Sequence, residues 1–321
     1  MQRKIVKNKI NVLISCSSRE SLILKWVKLS LNQFSISNKI YLGDNNKNVV
    51  SKYFGENFWH MPKIKNINFK KILKFCLRNK INIVIPTSDF ELEFWAKYKN
   101  TFKINGIFVM VSDISTVKLC RDKFKFLHFL KANGFKSPET FSEIKKIKYK
   151  NNLVLKERYG AGSKNCFLNI KYKYALKKYK DLTEPIFQKF ISGKELSIDC
   201  YVDSEKKIYD ILIRKRDSVN NGESELTTAI KNHAVKKIIL KLINHFKFDG
   251  HIMFQGILRK GKFYIIECNP RIGGASILSS FFGEDSITKF ISKNLLIKPY
   301  KNKKTSKVKK ILIYKEIKLI R

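Results

Sequence analysis

The chain has 321 residues, 44% of them hydrophobic, which allows two or three packed units with a sizeable core and is too apolar for a disordered protein. No apolar run reaches the roughly 20 residues of a membrane-spanning helix, and the basic start leads into too short an apolar run for a secretory signal, so a cytoplasmic protein with no membrane partner is expected. The 66 Lys and Arg against 26 Asp and Glu give a formal charge of +40, but the lysines are scattered among Asn and Ile and form no stripe; this argues against nucleic-acid binding as the main role and for a field that attracts nucleotides and other anions.

Residues 9–18 (KINVLISCSS) read as a strand entering a polar turn, and ESLILKWVKLSL after them as a helix. NKIYLGD is a second strand, FKKILKFCLRNK a second helix and INIVIPTSD a third strand; FELEFWAKYKNTF and GIFVMVSD continue the alternation. Strands alternating with helices predict a parallel sheet covered on both faces, ending near residue 113. The stretch 115–140 predicts one amphipathic helix capped by Ser115 and stopped by Asn133-Gly134, with Ser137-Pro138 beyond. From 140 the pattern changes to short strands and hairpins, then a long helix over about 227–247 and the hairpin GHIMFQGILRKGKFYIIECNP. A basic linker and a closing strand finish the chain, and no internal repeat is present. The six cysteines form no C-x-x-C pair and have no His at zinc spacing, so buried thiols are expected.

Three stretches carry chemistry. In VLKERYGAGSKN (154–165) a strand delivers Lys156 and then a Gly-Ala-Gly-Ser turn, whose backbone N–H groups can close on phosphate oxygens. The Walker pattern is absent, and a plain Gly-rich hairpin is the competing reading. In FQKFISGKELSIDC the carboxylate of Glu195 lies on an apolar strand, where an unpaired charge is costly. In the 250–270 hairpin, a three-residue connection Lys260-Gly261-Lys262 places Arg259 opposite Phe263 and Gln255 opposite Glu267, with Asn269 on the same face. That register puts Ile252, Phe254 and Leu258 on one apolar side with Tyr264, Ile266 and Cys268. Oxygen ligands from few residues suit magnesium carrying a nucleotide.

Taken in order, these residues resemble the ATP-grasp enzymes, nearest the carbamoyl-phosphate-synthase-like branch of carboxylate–amine ligases. IPTSDFELEFWA and CRDKFKFLHFLKANGFKSP are similar to the stretches leading into the grasp domain, IECNPRIGG resembles the Glu-x-Asn-Pro-Arg signature, and YKEIKLIR resembles the last strand. The resemblance implies an α/β (α+β) chain: a Rossmann-like pre-ATP-grasp domain (1–113), then the two lobes of an ATP-grasp domain (114–185 and 186–298), then the basic linker and closing strand (299–321). It implies that Lys123 and Lys156 hold the ATP phosphates under a loop of Gly160, Ala161, Gly162 and Ser163. The strand bearing Gln188, Lys189, Phe190 and Ile191 lines the adenine, and Glu195 takes the ribose. Gln255, Glu267 and Asn269 bind Mg2+, with Mn2+ a substitute, and Arg271 faces the transferring phosphoryl group.

The chain departs from that pattern where many relatives carry glutamate, at Gln188 and Gln255, and its first turn, SCSSRE, lacks glycine. The implied reaction activates a small carboxylate as an acyl phosphate and joins it to an amine, with Lys156 and Arg271 as the catalytic cations. One grasp unit instead of two argues against carbamoyl phosphate synthesis itself. A nucleotide-binding protein with little turnover is the alternative, and a homodimer is left open. The segment 214–225 reads either as a solvated loop or, through Arg214, Arg216 and Glu223, as part of the acceptor site.

Overall fold

A computed structural model describes residues 9–18, 21–55, 57–160, 162–203, 205, 208–220, 222–299 and 310–313. Strand β1 (Lys9–Ser15) is buried from Ile10 onward because it is an interior strand of a parallel sheet. The other strands are β2 (Ser37–Asp44), β3 (Asn57–His60), β4 (Ile83–Pro86) and β5 (Phe108–Val109), in the order β3-β2-β1-β4-β5. Ile10, Val12 and Ile14 face helix α1 (Ser21–Leu31), whereas Leu13 packs towards α2 (Phe69–Arg78) and α3 (Leu92–Ile104). The alternation of side chains along the strand is what allows both faces to be covered.

The predicted single helix after residue 114 is two. Helix α4 (Ile114–Arg121) is capped by Asp113, whose carboxylate accepts from Ser115 N, so Asp113 and not Ser115 is the cap. The chain breaks at Asp122, extended at φ −86° and ψ 91°, and Asp122 caps α5 (Lys123–Ala132) through Lys125 N. A second capping residue inside the apolar periodicity is what splits the helix. Gly134, at φ +76°, ends it as expected.

Two antiparallel sheets follow. The smaller contains β6 (Thr140–Phe141), β7 (Leu153–Glu157), β8 (Phe167–Ile170) and β9 (Pro185–Lys189), in the order β6-β9-β7-β8, with α6 (Tyr172–Lys178) between β8 and β9. The larger comprises β10 (Lys194–Val202), β11 (Ile208–Asn220), β12 (Glu223–Ile230), β13 (Gly250–Arg259), β14 (Lys262–Asn269) and β15 (Lys310–Leu312), in the order β14-β13-β10-β11-β12-β15. Its core face (Leu196, Ile198, Ile252, Phe254) is covered by α5 and α7 (His233–Ile243). Helices α8 (Ile277–Phe281) and α9 (Ser286–Leu295) return to the first sheet, where Phe290 and Ile291 join Trp26 in the core. Each such side chain contributes about 1.5–3 kcal/mol by leaving water.

The structure corrects the expected 227–247 helix. Thr227–Ile230 belong to β12, paired with β11, and α7 begins only at His233 behind the cap Asn232. Leu226, the two threonines and Ile230 fit either period, and β-branched Thr prefers the strand. The 214–225 segment is a bulged hairpin and not a solvated loop. The described part of the tail, β15, pairs with β12; YKEIKLIR from Tyr314 onward and the first eight residues lie outside the described residues.

In the β13–β14 hairpin the expected pairing of Gln255 with Glu267 is present, but it is reached differently. The connection is the two-residue turn Lys260-Gly261, at φ 46° and 73°, which pairs Arg259 with Lys262 and not with Phe263. The register then shifts between Gln255 and Gly256, so Ile266 is one extra residue in β14 and Glu267 regains its place opposite Gln255. As a result Phe263 and Ile265, and not Tyr264 and Ile266, join Phe254 and Cys268 in the core.

Candidate active site

The second face of the larger sheet is polar. Along β10 it carries Glu195, Ser197 and Asp199. Ser197 stands between Arg214 on β11 and Gln255 on β13, and Gln255 is followed across β14 by Glu267. A second row runs Asp199–Met253–Asn269. Gln255, Glu267 and Asn269 thus converge on one face, one carboxylate and two amide oxygens. Among the described residues no group of three His, Cys, Asp or Glu side chains could hold a metal, so any divalent cation here must take amide and ligand oxygens.

On the smaller sheet Leu153 and Leu155 enter its own core, which turns Lys156 to the opposite face beside Ile186 of β9. The Lys156 ammonium lies in the field of Glu267, Lys123 and Glu195; burial pulls its pKa down and Glu267 opposes that. Lys123, the first residue of α5, is nearly buried, donates to the Gly160 carbonyl and sits 3.7 Å from the Glu267 carboxylate. It therefore links the loop at Gly160 to the oxygen-donor face. Gly160 packs on Glu157, Gly162 is left-handed at φ +62°, and Ser163 touches Gly222 at the tip of the β11–β12 hairpin; Ala161 lies outside the described residues.

The strand expected at the adenine is engaged locally. Gln188 is buried and its amide nitrogen donates to Thr140 Oγ1 at 3.1 Å. Lys189 N donates to the Glu139 carbonyl and Phe190 N to the Asn152 carbonyl at 2.7 Å. With both N–H groups engaged, only the carbonyls and side chains of Lys189 and Phe190 are left to meet a base. Ile191 follows, half-buried in the link to β10. Glu195 accepts from Arg216 Nη1 at 2.5 Å, and Arg216 Nη2 donates to the Gly222 carbonyl.

Two further groups at this site were not among the expected site residues. Asp199 is fully buried and accepts from Arg214 Nε at 2.6 Å, Ser276 Oγ at 2.7 Å and Ser279 Oγ at 2.6 Å, with His251 Nε2 at 3.2 Å. Burial alone would raise its pKa, but Arg214 and His251 hold it well below the usual carboxylate range. Asp89, from the loop after β4, meets Arg271: Nε donates to Oδ1 at 2.9 Å and Nη2 to Oδ2 at 2.5 Å. Burial again raises the Asp89 pKa, and Arg271, with smaller contributions from Lys123 and Arg121, more than offsets it. The alternation Glu195–Ser197–Asp199 could have marked Asp199 as a third polar side chain on one face; nothing local marks the partner of Asp89.

A lysine-bearing face of one antiparallel sheet set against an oxygen-donor face of another is the layout of a fold that closes two sheets on a nucleotide. Residues 120–275 match the family model of the ATP-grasp domain, and residues 12–110 that of the PylC-like N-terminal domain. The chain belongs to the ATP-grasp superfamily. No curated protein sequence matches it. Among solved structures it is similar to the biotin carboxylase domain of 2-oxoglutarate carboxylase from Hydrogenobacter thermophilus, solved with MgADP and bicarbonate: TM-score 0.69, 13% identity, covering 88% of this chain and 69% of that one. Biotin carboxylase from Campylobacter jejuni has a TM-score of 0.68 at 14% identity, covering 93% of this chain and 73% of that chain. L-amino acid ligase from Bacillus licheniformis has a TM-score of 0.68 at 18% identity, covering 90% and 75%. No described helix is long and apolar enough to cross a membrane.

Proposed function

We propose that the protein is an ATP-dependent ligase that activates a carboxylate as an acyl phosphate and passes the acyl group to an amine. The observation that carries this reading is the convergence of Gln255, Glu267 and Asn269 at the end of one hairpin, with Glu267 facing Lys156 and Lys123. The donor set fits magnesium: three hard oxygens with one negative charge leave the remaining positions to phosphate and water. Bound with ATP, the ion would draw charge from the phosphate oxygens.

The chain's own residues do the rest. Lys156 and Lys123 oppose the charge of the phosphates, and residues 160–163 close over them. Gln188 through Ile191 line the base, Glu195 meets the ribose, and Arg271 faces the group in transfer. A carboxylate oxygen attacks the γ-phosphorus, ADP leaves, and an amine then displaces phosphate from the acyl carbon. In this reading the unit expected over residues 1–113 helps form the acceptor side, 114–185 and 186–298 are the lobes that enclose ATP, and β15 adds to the second. The rest of the expected 299–321 segment, from 300 to 309 and from 314 onward, lies outside the described residues. A dimer is the assembly we carry forward, since the Hydrogenobacter domain was solved as one; sedimentation checks it.

The test is phosphate release from Mg-ATP in the presence of carboxylic acid pools, with and without amines. Release that requires both supports ligation. The glutamine at 255, which leaves the donor set one charge short, favours a second reading, a nucleotide-binding protein with little turnover; carboxylate-stimulated release excludes it.

A further inference from the structure

Arg271 follows Pro270 in the turn after β14, while Asp89 lies 182 residues earlier in sequence, in the loop that follows β4 of the parallel sheet. Their contact is the side-on fork of a guanidinium on a carboxylate: Nε to one oxygen, Nη2 to the other, with Nη1 donating to the Ile272 carbonyl at 2.9 Å. Asp89 is itself rigidly held. The buried Glu91 carboxylate accepts from Thr87 N at 2.8 Å, Ser88 N at 3.0 Å, Ser15 Oγ at 2.5 Å and Trp95 Nε1 at 2.7 Å, which fixes the loop between β4 and α3 to the end of β1. Asp89 also lines the same pocket as Lys123, Glu267 and Asn269.

We propose that Asp89 is a positioning residue for phosphoryl transfer: it sets the direction of the Arg271 guanidinium and so makes the first sheet part of the reaction site. This rests on the reading of the site given above. The charge argument selects orientation over binding. A carboxylate beside polyphosphate weakens nucleotide binding by Coulomb repulsion and cancels part of the arginine's charge. What it gives in return is a fixed angle on an arginine that a Pro turn alone leaves several rotamers. Misplacement of such a group by about 1 Å costs up to about 100-fold in rate. Asparagine cannot replace it, because an amide offers one acceptor where the fork requires two.

The test compares binding of MgADP with that of MgADP plus fluoroaluminate, a mimic of the phosphoryl group in transfer, by calorimetry on the full chain. The native protein should bind the mimic complex about 10- to 100-fold more tightly than MgADP alone. Asp89→Ala and Asp89→Asn should keep or tighten MgADP binding and lose that increment. Arg271→Ala should lose it too, and the double variant should lose no more than either single one, while Asp89→Glu should restore part of it. A merely structural role would weaken both complexes together and lower the melting temperature. Retention of the increment in Asp89→Ala overturns the proposal, as does a native protein that binds MgADP but gains nothing from fluoroaluminate. A native protein that binds no MgADP overturns the underlying function and this proposal with it.

Discussion

Glu267 stands directly opposite Gln255 although the turn joining their strands has two residues, because Ile266 is an extra residue on one strand only. The neutral amide avoids placing two carboxylates face to face, an arrangement that repels in an antiparallel pair. Gln255→Glu is therefore expected to lower the melting temperature of the metal-free protein and to enlarge the rise produced by Mg2+ alone. Thermal unfolding with and without the ion, in the absence of nucleotide, measures both shifts.

Glu267→Gln keeps the volume of the side chain and removes the single negative charge of the donor set. Stabilisation by Mg-ATP measures occupancy of the folded state, about 2.7 kcal/mol at a ligand concentration 100 times Kd. The variant should fold, lose most of that stabilisation and lose turnover. An unchanged Mg-ATP shift would mean that Glu267 serves only its ion pair with Lys123.

Lys156 costs the empty protein stability. Its folded pKa lies below the ordinary lysine value of 10.5, so the unfolded chain holds its proton more firmly. The associated stability is fully present above 10.5, where neither state is protonated, and is lost as pH falls through the folded value. Lys156→Met should raise the melting temperature at neutral pH by a few degrees, flatten the alkaline rise and abolish the Mg-ATP shift.

Asp199 works in the opposite window. Its folded pKa is depressed below 3.8, so its contribution is present above that value and disappears as the solution is acidified through the folded pKa. Asp199→Asn leaves the buried Arg214 without its charge partner and should cost about 3–5 kcal/mol at neutral pH. Urea unfolding at neutral pH checks the magnitude. Asp199→Asn with Arg214→Met should recover part of the loss, since no buried charge is then stranded.

The placement of Glu267 and Asn269 on one face was legible because it depends on alternation, which any strand displays. The opposition of Gln255 and Glu267, by contrast, was expected from a three-residue connection that the hairpin does not have. The bulge was not legible: FYII offers four apolar residues in a row, and nothing in them distinguishes Ile266 as the one left unpaired. The two-residue turn had a visible cue in Lys-Gly, but the extra residue cancelled its effect on the metal face while moving Phe263 and Ile265 into the core. Strand β12 was misread since its apolar spacing satisfies two periods and only pairing with β11 decides between them. The partnership of Asp89 with Arg271 is a tertiary fact: each residue lies at the end of a readable strand, and no local pattern says that the two ends meet.

Ser163 of the phosphate loop rests against Gly222, itself at φ +78°, where a β-carbon would collide with the serine side chain. With the loop over a nucleotide, as proposed above, entry and exit would separate two surfaces belonging to different sheets. On the proposed reading the residence time of ADP then depends on the tip of the β11–β12 hairpin as well. A larger residue at 222 would, on that same reading, push Ser163 and its loop aside and speed exchange while leaving Lys123 and Lys156 in place, much as a doorstop alters traffic without touching the lock.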